Sequence, residues 1–552
     1  MSRLDVIVWL GREYENSAKA FRLIEVLAAS WKDDEGAAMR KFLDSDEHSF
    51  YKLFRPDEPS LLGCWHGLRK LMQRQYWDRV WIIQEMLMCS DSSPILCGNS
   101  AVQFRQFMDA VLHWLGPKSL HVVRRYMIYE RLHMAAGHQA PLTGDSKAGE
   151  TIVDIAERFG GLSFDPVIRE RKGLIDSATI EEWAIDTERL LLVNRLKATL
   201  EGADEIHLHP ANLVACARDS DASRPHDKVY ALLGLMDPDF VKRIPIDYKQ
   251  PEEAAYSDFS IQWMLEAQTL DLLTYCRLED NQSPTWVPNW RTGNFMPLLY
   301  IGDHKNPYTA GGEELGPTML SPDKKLLCTT AVIIDLVDGL SAQYDEPATS
   351  IVQPSSDANA YETPEGFRDA LWRTFLGNRD FDFNPPHPGS SHREFRALLD
   401  FALPEKGGHL PAPYDQYFYK FIETNEDFRL AGKRLVQYFP NDGRRLRVPT
   451  DAASVQMMKN VLLDSISRAT LMQHRRRLIT TKIGLVGMAP AVTKKGDTVA
   501  VILGCREPLV LRPVEQDGQK CFKVVGACYL HGLMEGELMR SGIMKTCEIV
   551  LC

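Results

Sequence analysis

Residues 76–88, YWDRVWIIQEMLM, constrain the fold most, because wound as a helix they leave almost no face free of apolar side chains. At about 100° per residue, Trp77, Val80, Trp81, Gln84 and Leu87 share one face, and Arg79, Ile82, Ile83 and Met86 fill the opposite one. A helix that is apolar nearly all round is expected to be buried. Only a narrow stripe carrying Asp78 and Glu85, beside Trp81, is left to face water or a ligand. Arg79 and Gln84 need hydrogen-bond partners if they are buried, because an unpaired buried polar group is costly.

The stretch that follows, residues 94–104 (PILCGNSAVQF), reads as a hairpin. Ile95, Leu96 and Cys97 run into Gly98-Asn99, a tight-turn pair, and helical spacing resumes from Phe104 to Leu115 before Gly116-Pro117 stops it. Upstream, LDVIVWL at 4–10 is a short, nearly unbroken apolar run closed by Gly11. That composition predicts an interior parallel strand covered on both faces. Asn16-Ser17 then cap a helix with Ala20, Leu23, Ile24, Leu27 and Trp31 on one side, completing an α/β unit. A strand covered on both faces needs neighbours, so either later strands flank it or the chain begins partway into a domain.

Further along, residues 118–340 read as mainly helical. In RPHDKVYALLGLMDPD at 224–239, Asp227 is placed to cap a short helix that Gly234 and Pro238 end. SPTWVPNW at 283–290 is expected to be extended, with both tryptophans packed against something. Residues 341–470 are turn-rich and read as a variable linker or insertion. From 471 to 552, short apolar runs alternate with Lys-Gly-Asp, Gly-Cys-Arg-Glu-Pro and Gln-Asp-Gly turns, which argues for a small antiparallel β module. The expected fold class is α/β over 1–117, then a helical middle, then a β-rich end.

Composition narrows function mainly by exclusion. A formal charge of −11 over 552 residues argues against binding nucleic acid through bulk electrostatics. No apolar run approaches the roughly 20 residues needed to span a bilayer. Eleven cysteines without a CxxC pair fit reduced thiols in a cytoplasmic setting better than a disulfide framework. Dinucleotide, P-loop, GxSxG and HExxH signatures are missing, and no cofactor is expected. His207 and His209, with Asp204 and Glu205, lack a third ligand at defined spacing, so no metal is expected either. Arg475-Arg476-Arg477 can touch phosphate but read first as a solvated strand edge. Asp78 and Glu85 are the acid–base candidates, since burial beside tryptophan raises a carboxyl pKa. The competing reading pairs Glu85 with an arginine that fixes the helix.

Three separated segments resemble one family, the heterokaryon-incompatibility (HET) domain proteins of filamentous fungi. DVIVWLG at 5–11 resembles the family's "vivWLG" block, and YWDRVWIIQEM at 76–86 with Cys97-Gly98 resembles its "RvWvvQE … cG" block. RPHDKVYALLGL at 224–235 is similar to the "rDkvyAlLGl" segment, and the tail at 484–537 is similar to the family's C-terminal region. The family's "LSYxWG" and "WIDaiCINQ" blocks have no counterpart ahead of Met1, which implies an incomplete HET domain and a truncated product or remnant. The resemblance implies a TIR-like parallel sheet and a role in self/non-self recognition through protein partners, leading to growth arrest or cell death. It also raises NAD cleavage as an alternative, with Glu85 or Asp78 assisting. The residues it singles out as the motif core are Trp9, Trp77, Arg79, Trp81, Gln84, Gly98 and Asp227.

Overall fold

The computed structural model describes residues 6–14, 16–32, 64–114, 190, 193–194, 196–197, 208–217, 220–278, 284–291, 307–343, 345–379, 414–438, 469–470, 472–516, 518–542 and 545–552. They belong to two units, Met1–Asp237 and Pro238–Cys552. The expected boundaries at 117/118, 340/341 and 470/471 fall inside these units.

The first unit is built on a three-stranded sheet of β1 (Val8–Trp9), β2 (Pro94–Cys97) and β3 (Ser100–Gln103). β1 and β2 run parallel, with Val8 opposite Ile95 and Trp9 opposite Leu96. β2 and β3 are the expected antiparallel hairpin, turned at Gly98-Asn99. A later strand thus flanks β1, but on one side only among the described residues, and Ile7 and Trp9 are exposed. The expectation of an interior strand covered on both faces is corrected here: among the described residues β1 lies at the edge, with its Val8 side buried and its Trp9 side open.

Helices α1 (Ser17–Lys32), α2 (Cys64–Met72), α3 (Ile82–Met88) and α4 (Phe104–Trp114) accompany the sheet. α1 packs on α2 and α4, and Ala20, Leu23, Ile24 and Leu27 of α1, Leu68 and Leu71 of α2, and Phe107 and Val111 of α4 are all buried. The Trp31 side chain lies outside the described set. α5 (Pro210–Ala217) and α6 (Asp227–Leu233) pack together, and α6 also meets α3.

α3 starts six residues later than the apolar pattern at 76–88 predicts. Trp77, Asp78 and Arg79 donate their backbone N–H to carbonyls three residues back, making tight turns. Val80 N donates to the Asp221 carbonyl at 2.9 Å, and Asp221 N returns to Asp78 O, forming a parallel bridge between Arg79 and Asp221. Backbone groups committed to a distant segment cannot also join an i to i−4 ladder, so the helix begins at Ile82.

In the second unit, α7 (Pro238–Val241) and α8 (Glu252–Ala267) carry an aromatic cluster. Trp263 stacks on Trp290 with centroids 5.9 Å apart, and Phe259 meets both edge-on. Trp286 and Trp290 are therefore packed as expected, although 284–287 forms turns and bends and not an extended segment.

The remaining strands are β4 (Met319–Leu320), β5 (Leu327–Leu340), the small hairpin β6 (Arg429–Leu430) and β7 (Lys433–Arg434), β8 (Arg476–Thr481), β9 (Val486–Pro490), β10 (Thr498–Ile502), β11 (Leu509–Gln516), β12 (Gln519–Ala527), β13 (Tyr529–Leu530) and β14 (Cys547–Leu551). Pairing closes on itself as β10–β11–β12–β14–β5–β10, which makes a barrel. All of these pairs are antiparallel except β12 with β14. β8 and β9 carry the sheet on from the far end of β5 to β13, which follows β12 after Cys528. β5 is the hub: its first half pairs with β14, its middle with β10 and its end with β8. The β-rich module thus depends on a strand from the region expected to be mainly helical.

Val337, Ile479, Val499, Val510, Val525 and Leu530 fill one buried cluster. A second is formed where α9 (Pro364–Leu376) and α10 (Tyr414–Thr424) cover β8 and β9 through Phe367, Phe375, Phe421, Leu478 and Met488. α9 is specified locally, with Thr363 Oγ1 accepting from Gly366 N at 3.0 Å, Pro364 in the first turn and Gly377 closing the helix at φ +62°. Within 341–470, read as a variable linker, the described residues thus supply part of the core.

The arginine run is not a solvated edge. Arg475 is exposed, but Arg476 and Arg477 at the start of β8 are buried. Burial lowers the Arg476 pKa to about 10, against the attraction of the Glu507 carboxylate, which is also fully buried.

Candidate functional site

The motif segments in the first unit meet through backbone first. Pairing of β1 with β2 sets Gly11, at φ +98°, against Gly98, whose N–H donates to Gly11 O at 2.9 Å. Gly98 has φ +56°, and a Cβ there would lie 2.6 Å from Glu13 Cβ and 2.9 Å from Glu13 N, so both conformation and space call for glycine. Arg74 fastens this junction. Its Nη1 donates to Leu10 O at 3.3 Å and Arg12 O at 3.1 Å, and its Nη2 reaches Cys97 Sγ at 3.7 Å. No sequence motif singled Arg74 out; its position just ahead of the 76–88 block was the available signal.

Trp77 is buried, stacks on Phe107 at 5.2 Å and 4°, and donates from Nε1 to Leu71 O at 2.8 Å. The Tyr76 hydroxyl donates to Glu85 Oε2 at 2.7 Å. Burial, then that hydrogen bond, pushes the Tyr76 pKa well above the usual tyrosine range. Glu85 is held by a tyrosine, and among the described residues no ion pair ties it to the arginine of the structural reading. Asp78 is exposed in the turns ahead of α3, so it does not share a helix with Glu85 and the two do not form one acid–base stripe. Arg79 is also exposed, its backbone bridged to Asp221.

Trp81 and Gln84 connect α3 to α6. Trp81 Nε1 donates to Asp227 Oδ2 at 3.3 Å. Gln84 lies against Gly234, where a Cβ would come within 2.7 Å of Gln84 Nε2. Asp227 sits inside the first turn of α6, with His226 at the N-cap position and no side-chain cap hydrogen bond there. Asp227 therefore does not occupy the cap position expected for it, and its carboxylate accepts from Trp81. At the end of α3, buried Lys197 donates to Cys89 O and lies 4.3 Å over the Phe104 ring. Burial raises the Cys89 thiol to about 11, with Lys197 pulling the other way.

Trp9 is the motif residue that stays apart, exposed on the outer side of β1. Asp204, Glu205 and His207 lie outside the described residues, and His209 Nδ1 accepts from Ala211 N at 3.2 Å at the start of α5. Among the described residues, no three His, Cys, Asp or Glu side chains come together as a metal site would require. None of the described helices is long and apolar enough to cross a membrane.

A strand closure covered by helices defines the class: residues 351–545 match the Het-6 beta-barrel domain family. β8 to β13 fall within that match, while β5 and β14, which close the ring, flank it. Over 591 aligned residues the chain is 22% identical to "Heterokaryon incompatibility protein 6, OR allele" of Neurospora crassa, covering 97% of this chain and 76% of that protein. No solved structure matches. The chain is thus similar to fungal heterokaryon-incompatibility proteins both in its barrel domain and along most of its length.

Proposed function

We propose that this chain acts in fungal self/non-self recognition as a cytoplasmic signalling protein working through protein–protein contacts, with growth arrest or cell death as the outcome. Its similarity to an incompatibility protein supports the general role. The observation that carries the finer reading is the internal use of the motif's polar groups: Glu85 holds Tyr76, Asp227 holds Trp81, and Gln84 packs on Gly234. Trp77, Trp81, Gln84, Glu85, Gly98 and Asp227 then form the structural centre of the signalling domain, with Arg79 and Trp9 at its surface. The parallel β1–β2 pair supports a TIR-like reading of the sheet.

The test is expression of the full chain in paired fungal strains, scoring the zone of dead hyphae at fusion, alongside melting of the purified variants. Trp81→Phe and Glu85→Gln are expected to lower both stability and the incompatibility reaction. A Glu85→Gln chain that melts and kills as the original does overturns the role assigned to Glu85. Release of nicotinamide from NAD by the purified chain, abolished by Glu85→Gln, overturns the contacts-only reading in favour of catalysis.

A further inference from the structure

The three adjacent arginines at 475–477 part company in the structure. Arg476 enters the interior, whereas Arg475 and Arg477 line an open cleft of about 630 Å³ at one end of the barrel. The end of β5 contributes Leu340 to its wall, the following segment Gln343, Glu346 and Val352, and the β9–β10 turn residues 491–495.

Four cations line this cleft: Arg475, Arg477, Lys494 and Lys495. Two are already balanced. Arg477 Nη2 lies 3.0 Å from both Glu346 oxygens, and Lys495 Nζ lies 2.9 Å from Asp338 Oδ1. Asp338 sits at the bulge in β5, buried, and also accepts from Ser355 N at 2.6 Å and Ser355 Oγ at 2.7 Å. Arg475 and Lys494 are exposed, and no carboxylate among the described residues pairs with either. Arg475 also holds a left-handed backbone conformation, φ +53°, between the buried Arg476 and the preceding helical turn.

A second observation is independent of surface charge. Thr493 is 3% exposed and lines the cleft, yet its Oγ1 has no hydrogen-bond partner. Arg477 is 8% exposed, and its Nε is likewise unpartnered. Unpaired buried donors carry a desolvation cost that an oxyanion seated above them would relieve. Leu340, Val352 and Val492 add an apolar wall.

We propose that this cleft binds a small phosphorylated molecule, its phosphate held by Arg475 and Lys494 over Thr493 and Arg477 and its body lying against Leu340, Val352 and Val492. The volume is that of a small-ligand site. The overall charge of −11 opposes adsorption of a long polyanion, whereas a local basic cleft accepts a compact one. The same phosphate chemistry is displayed by soluble nucleotides and by phosphoinositide headgroups, and the test separates them.

Calorimetric titration of the full-length chain with ADP, inorganic pyrophosphate and adenosine is the direct experiment. ADP and pyrophosphate are expected to bind with unit stoichiometry at millimolar concentration or below, and adenosine more weakly than ADP. Arg475→Ala with Lys494→Ala, both exposed and so tolerable to the fold, is expected to weaken ADP binding by at least about tenfold. The control Lys520→Ala, which removes one exposed cation on β12, leaves it unchanged. Loss of affinity equally in Lys520→Ala, equal binding of adenosine and ADP, or no heat with either phosphate probe overturns the proposal. Binding to vesicles containing a phosphoinositide, with neither soluble probe bound, overturns it in favour of a membrane surface.

Discussion

Trp81 Nε1 donates to Asp227 Oδ2 at 3.3 Å across 146 positions of sequence, joining two motif segments by a hydrogen bond to a mostly buried carboxylate. Trp81→Phe keeps an aromatic ring and removes the donor. It is expected to destabilise the first unit by about 1–2 kcal/mol, with a coupling of about 1 kcal/mol to Asp227→Asn in a double-mutant cycle. Urea unfolding followed by circular dichroism measures both. Additive single-variant effects would show that the bond contributes nothing.

Gly98 and Gly234 separate two reasons for a glycine. At Gly98 a Cβ meets backbone and Cβ of Glu13 at positive φ, so Gly98→Ala should cost about 1–3 kcal/mol. At Gly234, with φ −63°, the obstacle is the far end of the Gln84 side chain, which can turn aside. Gly234→Ala should cost less than about 1 kcal/mol. Thermal melts of the two variants are predicted to rank in that order.

Arg476 and Glu507 are buried charges that attract one another. Glu507→Gln removes a buried charge that attracts Arg476, so it should lower stability by about 1–3 kcal/mol. Arg476→Met combined with Glu507→Leu should recover much of that loss. Recovery is read from the denaturation midpoint of the double variant against both singles.

His531 gives the second unit an acid limb. Its Nδ1 lies 3.1 Å from the Tyr529 hydroxyl, and burial, with Arg373 adding to it and Asp369 and Glu535 opposing it, lowers its pKa from 6.5 to about 4. Between those values the unfolded chain binds the proton more readily than the folded one. Stability from this group is therefore complete above pH 6.5 and is lost as pH falls toward 4, by at most about 3 kcal/mol. His531→Asn should flatten the stability–pH curve across that window, measured as midpoint against pH for both chains.

The elements legible in the sequence were those whose signals are local. Gly98-Asn99 announced its hairpin by chemistry confined to a few residues, whereas the turn-rich surroundings of Thr363-Pro364 and Gly377 hid α9 inside a region read as linker. What stayed hidden depended on distant partners. Nothing in YWDRVWIIQEMLM shows that Val80 N–H will be taken by Asp221, so the helix was drawn a turn and a half too long. Asp227 looked like a cap because the donor that claims its carboxylate, Trp81, lies far upstream. Three consecutive arginines look equivalent until β8 sends Arg476 inward and leaves Arg475 outside.

β5 also sets an order of events during synthesis. One edge of this 14-residue strand is taken first by β14 and then by β8, the other by β10, and every one of those partners lies at or beyond Arg476. Only β4, made just ahead of it, can pair with Leu327 and Cys328 at once; the rest of the strand leaves the ribosome long before these partners exist, and its apolar edges must wait. Such non-local pairing makes for slow folding and exposes the nascent chain to aggregation. The second unit should lean on chaperones until its last strand, Cys547–Leu551, has been made.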